Sequence, residues 1–228
     1  MMEENDIGGR LNDAVVNGNN PYFWPPSYSP ITQDRIVIHP ATDACSLTQA
    51  AYVREEVFGR EWNLRIPPIV TVDGAECLTL IASSRPDLQP VAVVTVVETT
   101  QDLALHRRLG LLFPEGARIA RYTQLAVLKP YRGLSIPVQL VAEAHRRFVA
   151  PQRIEYTWLL FNANRAASSS FCTALGFRPA PGTVNTEYGL SRVLIRNHAS
   201  AFSGDTNSDA VQPRSTVITW NPDEWIAQ

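Results

Sequence analysis

The chain has 228 residues, of which 45% are hydrophobic and 18% are charged, and its formal net charge is −2. These proportions suit one globular α/β domain with a sizeable core and polar ends. The weak negative charge supplies no basic field for nucleic acid or for an anionic membrane surface. We therefore expect a small-molecule or protein partner.

The cysteines and histidines give no sign of a metal site. Cys45, Cys77 and Cys172 form no CxxC pair, and no two histidines stand at the spacing of metal ligands. The first residues, MMEENDIGGRLND, carry acids where a secretory signal carries basic and apolar residues, and no stretch approaches the ~18 apolar residues of a membrane span. The sequence predicts a cytoplasmic protein with free thiols and no metal.

The composition divides the chain into a lead and a domain. Residues 1–34 are rich in Asn, Gly, Pro and Ser, and we expect a flexible lead that ends in PYFWPPSYSP, whose prolines exclude a helix or a central strand. The aromatic side chains of this segment either cover the domain surface or line a substrate mouth. Residues 35–228 are predicted to form one domain, with a mobile polar loop near 197–214. A homodimer is left open.

The predicted elements begin at residue 35. β-branched residues indicate a strand over 35–42, and Asp43 caps a predicted amphipathic helix that extends to residue 62. Strands over 77–84 and 91–100 are separated by the turn RPDLQP, which predicts a β-hairpin. The residues assigned to the buried face of the helix are Leu47, Ala50, Ala51, Arg54, Val57 and Phe58.

The second half continues as strands alternating with helices. A short helix and loop over 102–117 precede RIARYTQLAVL, a strand at 118–128 that is long enough to cross a sheet. A helix over 135–150 is expected to bury Leu140, Val141, Ala144 and Phe148. The remaining elements are a strand at 154–163, a short helix at 168–177, and strands at 186–196 and 215–220. The order β-α-β-β-α-β-α-β-α-β-β predicts a mixed sheet with helices on its faces.

The most informative stretch is LAVLKPYRGLSIPVQLV, over 125–141, because it joins a strand to a helix through a short loop. Tyr131, Arg132 and Gly133 lie in that loop. Such a junction directs backbone N–H groups and the positive end of a helix dipole at one spot. An anionic ligand is favoured there.

This stretch resembles the donor motif of the GNAT superfamily, which reads approximately V-x-x-x-Y-R-G-x-G-I-G/A-x-x-L. The matching positions are Val127, Tyr131, Arg132, Gly133, Ile136 and Leu140. FCTALGFRP is similar to the superfamily's F-Y-x-x-L-G-F element, with Phe171, Leu175, Gly176 and Phe177 in place. The resemblance covers roughly residues 35–196. It implies an N-acyltransferase with a mixed, mostly antiparallel central sheet and helices on both faces.

The resemblance also implies how the donor binds. Acyl-CoA, with an acetyl or longer chain, would be the co-substrate, and its pantetheine would lie like an added strand between the strands ending at Val127 and Phe161. A nearby backbone N–H would polarise the thioester carbonyl, and a small-molecule amine would attack directly. The implied donor-binding residues are Leu125, Ala126, Val127, Arg132, Gly133, Leu134, Ser135, Ile136, Asn164 and Phe171.

The donor motif departs from the family at two positions. Ser135 replaces the second glycine, and Pro137 replaces the last Gly/Ala. Proline is comfortable in the first turn of a helix but has no N–H, so one donor to a pyrophosphate is missing. The loop therefore predicts a reduced grip on phosphate.

The acid and the base have weaker signals. Cys172 stands where the family often has a tyrosine as general acid, and it is either that acid or a small core residue. The strand RYTQLAV has no carboxylate, so the candidate base is Glu98, at the end of the preceding strand. Alternatively, Gln124, Thr123 and Tyr122 hold a water that relays the proton.

A narrower resemblance concerns AAYVREEVFGREWNL, DGAECLTLIASS and LGLLFPEGARIARYTQLAV. Together they are similar to N-acyl amino acid synthases and acyl-homoserine-lactone synthases, which take long acyl chains from acyl carrier protein. The carrier's phosphopantetheine has one phosphate and no adenosine diphosphate, so a loop that lacks one N–H donor loses less affinity for it than for coenzyme A. The acidic-then-arginine pattern of those synthases is absent, and their acceptor does not transfer. Three functions stay open: an acyl-CoA N-acyltransferase, a carrier-protein-dependent synthase, and a non-catalytic GNAT-like domain that binds a ligand or partner.

Overall fold

The computed structural model describes residues 35–65, 75–132, 135–162, 172, 175–180, 183–186 and 189–198, together with the backbone of 218–219. The predicted lead, most of the predicted polar loop and most of the predicted helix over 168–177 lie outside these residues. In chain order, the elements are β1 (Ile36–Pro40), α1 (Ala44–Arg54), β2 (Cys77–Ser84), β3 (Gln89–Glu98), α2 (Leu103–Arg108), β4 (Ile119–Val127), α3 (Ile136–Ala144), β5 (Tyr156–Asn162), β6 (Arg178–Pro179), β7 (Val184–Thr186), β8 (Gly189–Asn197) and β9 (Ile218–Thr219).

The described strands form one sheet in the order β1-β2-β3-β4-β5-β8-β7-β9, with β6 beside β8. Neighbouring strands are antiparallel, except that β4 pairs with β5 and β7 pairs with β9 in parallel. This mixed, mostly antiparallel sheet confirms the predicted fold class. The short strands β6 and β7 were not predicted, because two or three residues are too few for an alternating pattern.

Helices cover both faces of the sheet. On one side, α1 packs Ala50 and Val53 against Ile81 of β2. On the other side, α3 packs Ile136 and Leu140 in one cluster with Leu80 and Val94, and with Tyr122 of β4. Because neighbouring residues of a strand point to opposite faces, Leu80 and Ile81 separate these two sides. We call them the α1 face and the α3 face.

A second apolar cluster lies on the α1 face beneath α2. Leu105 of α2 joins Ile119 of β4 and Trp158 of β5 there. Ile119 and its neighbour Ala120 belong to clusters on opposite sides of the sheet. The α1 face therefore carries two apolar clusters, one under each helix.

The start of α1 matches the prediction, whereas its buried face matches only in part. Asp43 accepts a hydrogen bond from the Ser46 N–H at 2.8 Å, and the Ser46 hydroxyl accepts one from the Asp43 N–H at 3.1 Å, which forms a capping box. Leu47 and Ala51, predicted to be inward, are exposed. Ala50, Val57 and Phe58 are buried as predicted, and Ser46 and Val53, which were not assigned to this face, are buried as well. The sequence offers two overlapping stripes at helical spacing, and periodicity does not choose between them.

A π-helical turn continues each long helix, over Glu55–Glu61 after α1 and over His145–Val149 after α3. The residues predicted to be inward in α3 and its continuation are all buried: Leu140, Val141, Ala144 and Phe148. The extra turn carries the end of α1 as far as the loop that follows β4. That position brings Glu61 to the candidate site.

Candidate active site

The parallel strands β4 and β5 pair along only part of their length. Their register runs from Ile119–Tyr156 to Tyr122–Leu159 and ends there. Beyond that point β4 stays in register with β3, and β5 stays in register with β8. The carboxyl halves of the two strands therefore diverge, and an opening forms between them in the middle of the sheet. It lies where the sequence placed the acyl donor.

A β-bulge lies on the β4 side of this opening. The register aligns Val93 with Ala126 and Thr95 with Thr123, so two steps along β3 correspond to three along β4. Gln124 has a φ of 52°, in the left-handed region that non-glycine residues rarely adopt. A bulge locally bends the strand that carries it, and such local strain is typical of functional sites.

The bulge also explains the burial pattern along β4. Tyr122 faces the α3 cluster, and so do Leu125 and Val127, whereas Ala126 packs under α1. A regular strand would place Leu125 on the face opposite Tyr122. Tyr122 and Leu125 are both apolar and three residues apart, and this break in the alternation is the signal of the bulge in the sequence. Thr123, Gln124 and Leu125 are all half-buried at this position.

The loop after β4 leads into α3 as predicted. A 3-10 turn spans Lys129–Tyr131, and Ser135 precedes the helix with a φ of 27°. The Ser135 side chain makes no capping hydrogen bond, and Pro137 lies in the first turn. The start of α3 is therefore short of one N–H donor, because proline has none. Gly133 and Leu134 lie outside the described residues.

Arg132 is engaged by the protein itself. Its Nη1 donates to Glu61 Oε1 at 2.7 Å, and its Nη2 donates to Glu61 Oε2 at 2.6 Å. Its Nε donates to the Val127 carbonyl at 3.0 Å. The guanidinium lowers the pKa of the Glu61 carboxyl through these hydrogen bonds. The cation assigned to the donor phosphate is thus held in a two-armed ion pair, and the sequence analysis missed its partner, 71 residues away.

Glu98 lies at the far end of β3. It is in register with Ala120, roughly 15 Å along β4 from the bulge at about 3.3 Å per residue. Arg118 Nη2 donates to both of its carboxylate oxygens at 3.1 Å, and the Thr100 hydroxyl donates to Oε1 at 3.0 Å. The structure does not bring this carboxylate to the opening; it forms an ion pair beside the start of β4.

Cys172 lies in the α3 cluster with Leu175 and Phe177. The cysteine is only 2% exposed, and burial raises the pKa of its thiol to about 12. Tyr122 packs edge-on against Phe177, with ring centroids 6.0 Å apart, and burial raises its pKa as well. Both groups have the surroundings of core residues. Asn164 and Phe171 lie outside the described residues.

The described part of the chain has neither a metal cluster nor a membrane-spanning helix. No group of three His, Cys, Asp or Glu side chains in it could hold a metal ion. No helix in it combines the length and the apolar character that crossing a membrane requires.

Comparison with known proteins identifies the architecture. No protein-family model and no curated protein matches the sequence. FeeM, an N-acyl amino acid synthase from uncultured soil microbes, is similar in structure over 72% of this chain and 91% of its own, with a TM-score of 0.54 at 13% identity. An acyl-CoA N-acyltransferase of Pseudomonas aeruginosa matches over 71% and 97%, with a TM-score of 0.53 at 15% identity. The fold is that of the GNAT N-acyltransferases.

A GNAT-family acetyltransferase of Staphylococcus aureus Mu50 supports the same assignment. It matches 72% of this chain and 99% of its own, with a TM-score of 0.52 at 14% identity. The GNAT resemblance inferred from the two sequence motifs is thereby confirmed for the fold. Each of these matched chains is covered almost completely, at 91% to 99% of its length.

Proposed function

We propose that this protein is an N-acyltransferase that moves an acyl group from a pantetheine thioester to an amine by direct attack. The observation that carries the proposal is the opening between β4 and β5, with the bulge at Gln124 on its edge. A GNAT fold in which β4 stayed flat and paired with β5 to its end would have no place for a thioester. In this protein, β4 carries the bulge and its pairing with β5 ends early.

The donor fits this opening by its backbone. Beyond Tyr122, the edge of β4 that faces β5 has no strand beside it in the register, so the amides of a pantetheine arm can pair with it as an added strand does. The arm then leads toward the start of α3, where the helix dipole favours a phosphate. Leu125 and Val127 supply an apolar wall on the α3 face.

The chemistry requires few side chains. The amine lone pair attacks the carbonyl carbon and forms the C–N bond, and the electrons of the C=O bond move to oxygen. A backbone N–H at Leu125 would stabilise this oxyanion because it is fixed before the reaction. Collapse restores C=O and breaks the C–S bond, and the electron pair leaves with sulfur as a thiolate. The nitrogen loses one proton, and the thiolate gains one.

Solvent can carry both protons. A thiol has a reference pKa near ~8.5, so the thiolate takes a proton from water near neutral pH without a dedicated acid. We assign the ammonium proton to a water held by the half-buried Thr123 and Gln124, which lie at the bulge. Glu98 and Cys172 have no part in this scheme, because one lies far along the strand and the other lies in the core.

A second donor has its own support. Arg132 is neutralised by Glu61, and Pro137 removes one N–H from the first turn of α3, so the grip on a diphosphate is reduced. A carrier-protein phosphopantetheine has a single phosphate and loses less from this. FeeM, an N-acyl amino acid synthase, and an acyl-CoA N-acyltransferase are similar to this chain to the same degree, so the structural likeness favours neither donor. We therefore keep acyl carrier protein as the alternative donor.

The test measures thiol release from short, medium and long acyl-CoAs, and from the same chains on acyl carrier protein, with a panel of amines. Release that depends on the amine supports N-acyl transfer, and the better donor decides between the two candidates. No release from any donor, together with no thermal shift by coenzyme A or carrier protein, would refute the proposal and leave a non-catalytic GNAT-like domain.

A further inference from the structure

The α1 face carries a polar strip between its two apolar clusters. Thr79 of β2, Thr95 of β3 and Thr123 of β4 form one row across three strands, because Thr79 is in register with Thr95 and Thr95 with Thr123. Arg54, the last residue of α1, reaches this row, and Arg121 lies two residues before Thr123 on the same strand. We call these five residues the polar strip.

Arg54 is bound in the polar strip by a neutral group. Its Nη2 donates to Thr95 Oγ1 at 2.7 Å, and that oxygen lies 2.8 Å from Thr79 Oγ1. Its Nε is buried without a hydrogen-bond partner in the structure as described. No carboxylate of the described residues forms an ion pair with it, whereas Arg60 on the following turn bonds Glu56 at 2.6 Å. Burial lowers the pKa of the Arg54 guanidinium.

A half-buried guanidinium in this state favours an anion. Removing a charge from water costs free energy that one neutral hydroxyl does not restore, and an N–H without an acceptor adds to the cost. Nε and Nη2 lie on the same edge of a guanidinium, and this edge matches the two oxygens of a carboxylate. Nη2 has two hydrogens, so Arg54 can keep its bond to Thr95 and still bind a carboxylate through that edge.

The position of Arg54 relates this anion to the reaction. Thr95 lies opposite Thr123, at the ~4.5–5.5 Å that separates paired residues on neighbouring strands, and Thr123 directly precedes the bulge. Arg121 adds a second positive charge here, with its guanidinium carbon 5.5 Å from the centre of the Trp158 ring. The strip lies on the α1 face, opposite the start of α3 and the donor phosphate. An acceptor would approach the opening from this side.

We propose that Arg54 binds the carboxylate of the acceptor and that the acceptor is therefore a free amino acid. This inference rests on the proposed N-acyl transfer and names the substrate class of that site. Arg54 is then a residue that determines specificity.

The experiment compares each amino acid of a panel with its primary amide, which keeps the amine and removes the negative charge. The wild-type protein should acylate the preferred acid with a kcat/KM about tenfold or more above that of its amide, the range expected for hydrogen bonds to a charged group. Arg54→Gln should lose about this factor with the acid, mainly through KM, and stay within about twofold with the amide.

Three variants serve as controls. Arg54→Lys keeps a positive charge but lacks the two adjacent N–H groups that match a carboxylate. Its kcat/KM with the acid should fall between those of the wild type and Arg54→Gln. Thr95→Val removes the hydroxyl that orients Arg54 and should also lower the preference for the acid. Arg60→Gln removes an exposed arginine six residues further along and should behave as the wild type. The acid-to-amide ratio of the wild type needs no variant, so the test survives a variant that fails to fold.

The outcomes separate this inference from the proposed function. Equal kcat/KM values for acids and amides would overturn the inference and leave N-acyl transfer intact, and so would better turnover of amines that carry a phosphate. If no amine is acylated, calorimetry with an N-acetyl amino acid and its amide decides. Binding selective for the acid that Arg54→Gln abolishes would support the carboxylate site and refute the transferase. Absence of that selectivity would overturn both.

Discussion

Glu61 holds both arms of the Arg132 guanidinium, so the cation of the donor loop is neutralised before any donor arrives. The ion pair ties the π-helical end of α1 to the loop between β4 and α3. A donor phosphate that uses Arg132 must compete with a carboxylate already in place. Donor affinity therefore depends on a residue far from the motif in the sequence.

Replacement of Glu61 with Gln should release Arg132 and lower the KM for acyl-CoA by about two- to tenfold. Arg132→Ala should raise this KM. Both ion-pair side chains are about one third exposed, so the change in the free energy of unfolding should stay within about 1 kcal/mol. An acyl-pantetheine without phosphate is the matched control, and its KM should not change. Equal effects on both donors would contradict a phosphate role.

Two substitutions at Gln124 should separate the backbone of the bulge from its side chain. Gln124→Gly tolerates the φ of 52° and should keep the bulge, whereas Gln124→Val disfavours that φ and should straighten β4. We expect kcat to fall by at least about tenfold in the valine variant, since the oxyanion donor moves. The glycine variant should lose less, and the loss measures the side-chain contribution. Steady-state kinetics would check this, and equal activity in both variants would contradict it.

Pro137→Ala should restore an N–H in the first turn of α3. We expect tighter binding of coenzyme A by about two- to tenfold, because we propose that the donor phosphates bind at this turn. Calorimetry with coenzyme A measures the change, and pantetheine, which has no phosphate, is the control ligand. Unchanged affinity for both ligands would contradict our account of the loop.

The buried His106 should make stability depend on pH. It is 3% exposed, its Nε2 lies 3.2 Å from the Thr99 hydroxyl, and burial lowers its pKa to about 4. In the unfolded chain, His106 takes up a proton as the pH falls below about 6.5, whereas in the folded chain it stays neutral down to about pH 4. The contribution of His106 to stability is therefore complete above pH 6.5. It declines as the pH falls toward 4, by about 3 kcal/mol for a shift of this size.

Urea unfolding at several pH values between 7.5 and 4.5 would measure this loss. His106→Gln should reduce the pH dependence without abolishing it, because burial also lowers the pKa values of His145 and His198, which remain. Phe113→Leu is the matched control: its ring lies 5.0 Å from the His106 ring but does not titrate, so it should lower stability equally at every pH. A slope in His106→Gln equal to that of the wild type would contradict the assignment.

The three cysteines should react in two classes. Cys45 and Cys77 are exposed, whereas Cys172 is buried with a thiol pKa near 12. Ellman's reagent should label the first two in the native protein and the third only after unfolding. Cys172→Ala should keep kcat within about twofold, with a loss of stability of about 1 kcal/mol. A large loss of kcat in a folded Cys172→Ala protein would restore it as the acid.

The sequence predicted the features that are local in the chain. The capping box at Asp43, the hairpin of β2 and β3, and the junction between β4 and α3 each arise from residues close together. The bulge is equally local, because the step from Tyr122 to Leu125 breaks the alternation, but it was not predicted. Periodicity identifies a strand more readily than an irregularity within it.

The features that were missed depend on contacts across the fold. Glu98 was chosen because it ends a strand near the expected site, but the strand runs away from the opening, and Arg118 holds it there. Arg54 was placed on the inward side of α1, but nothing in the sequence shows that a threonine row would receive it. Such pairings follow from sheet register, which local sequence does not specify.

The early end of the pairing between β4 and β5 has a consequence for how this protein can diverge. The opening between two diverging strands is formed by their backbones, and many different side chains can line it. Chains that share only 13% to 15% of their residues with this one still have the same fold. The strand backbone assigned to the pantetheine arm therefore constrains the side chains of β4 and β5 only weakly. Acceptor choice, which we place on Arg54, is then free to change without disturbing it.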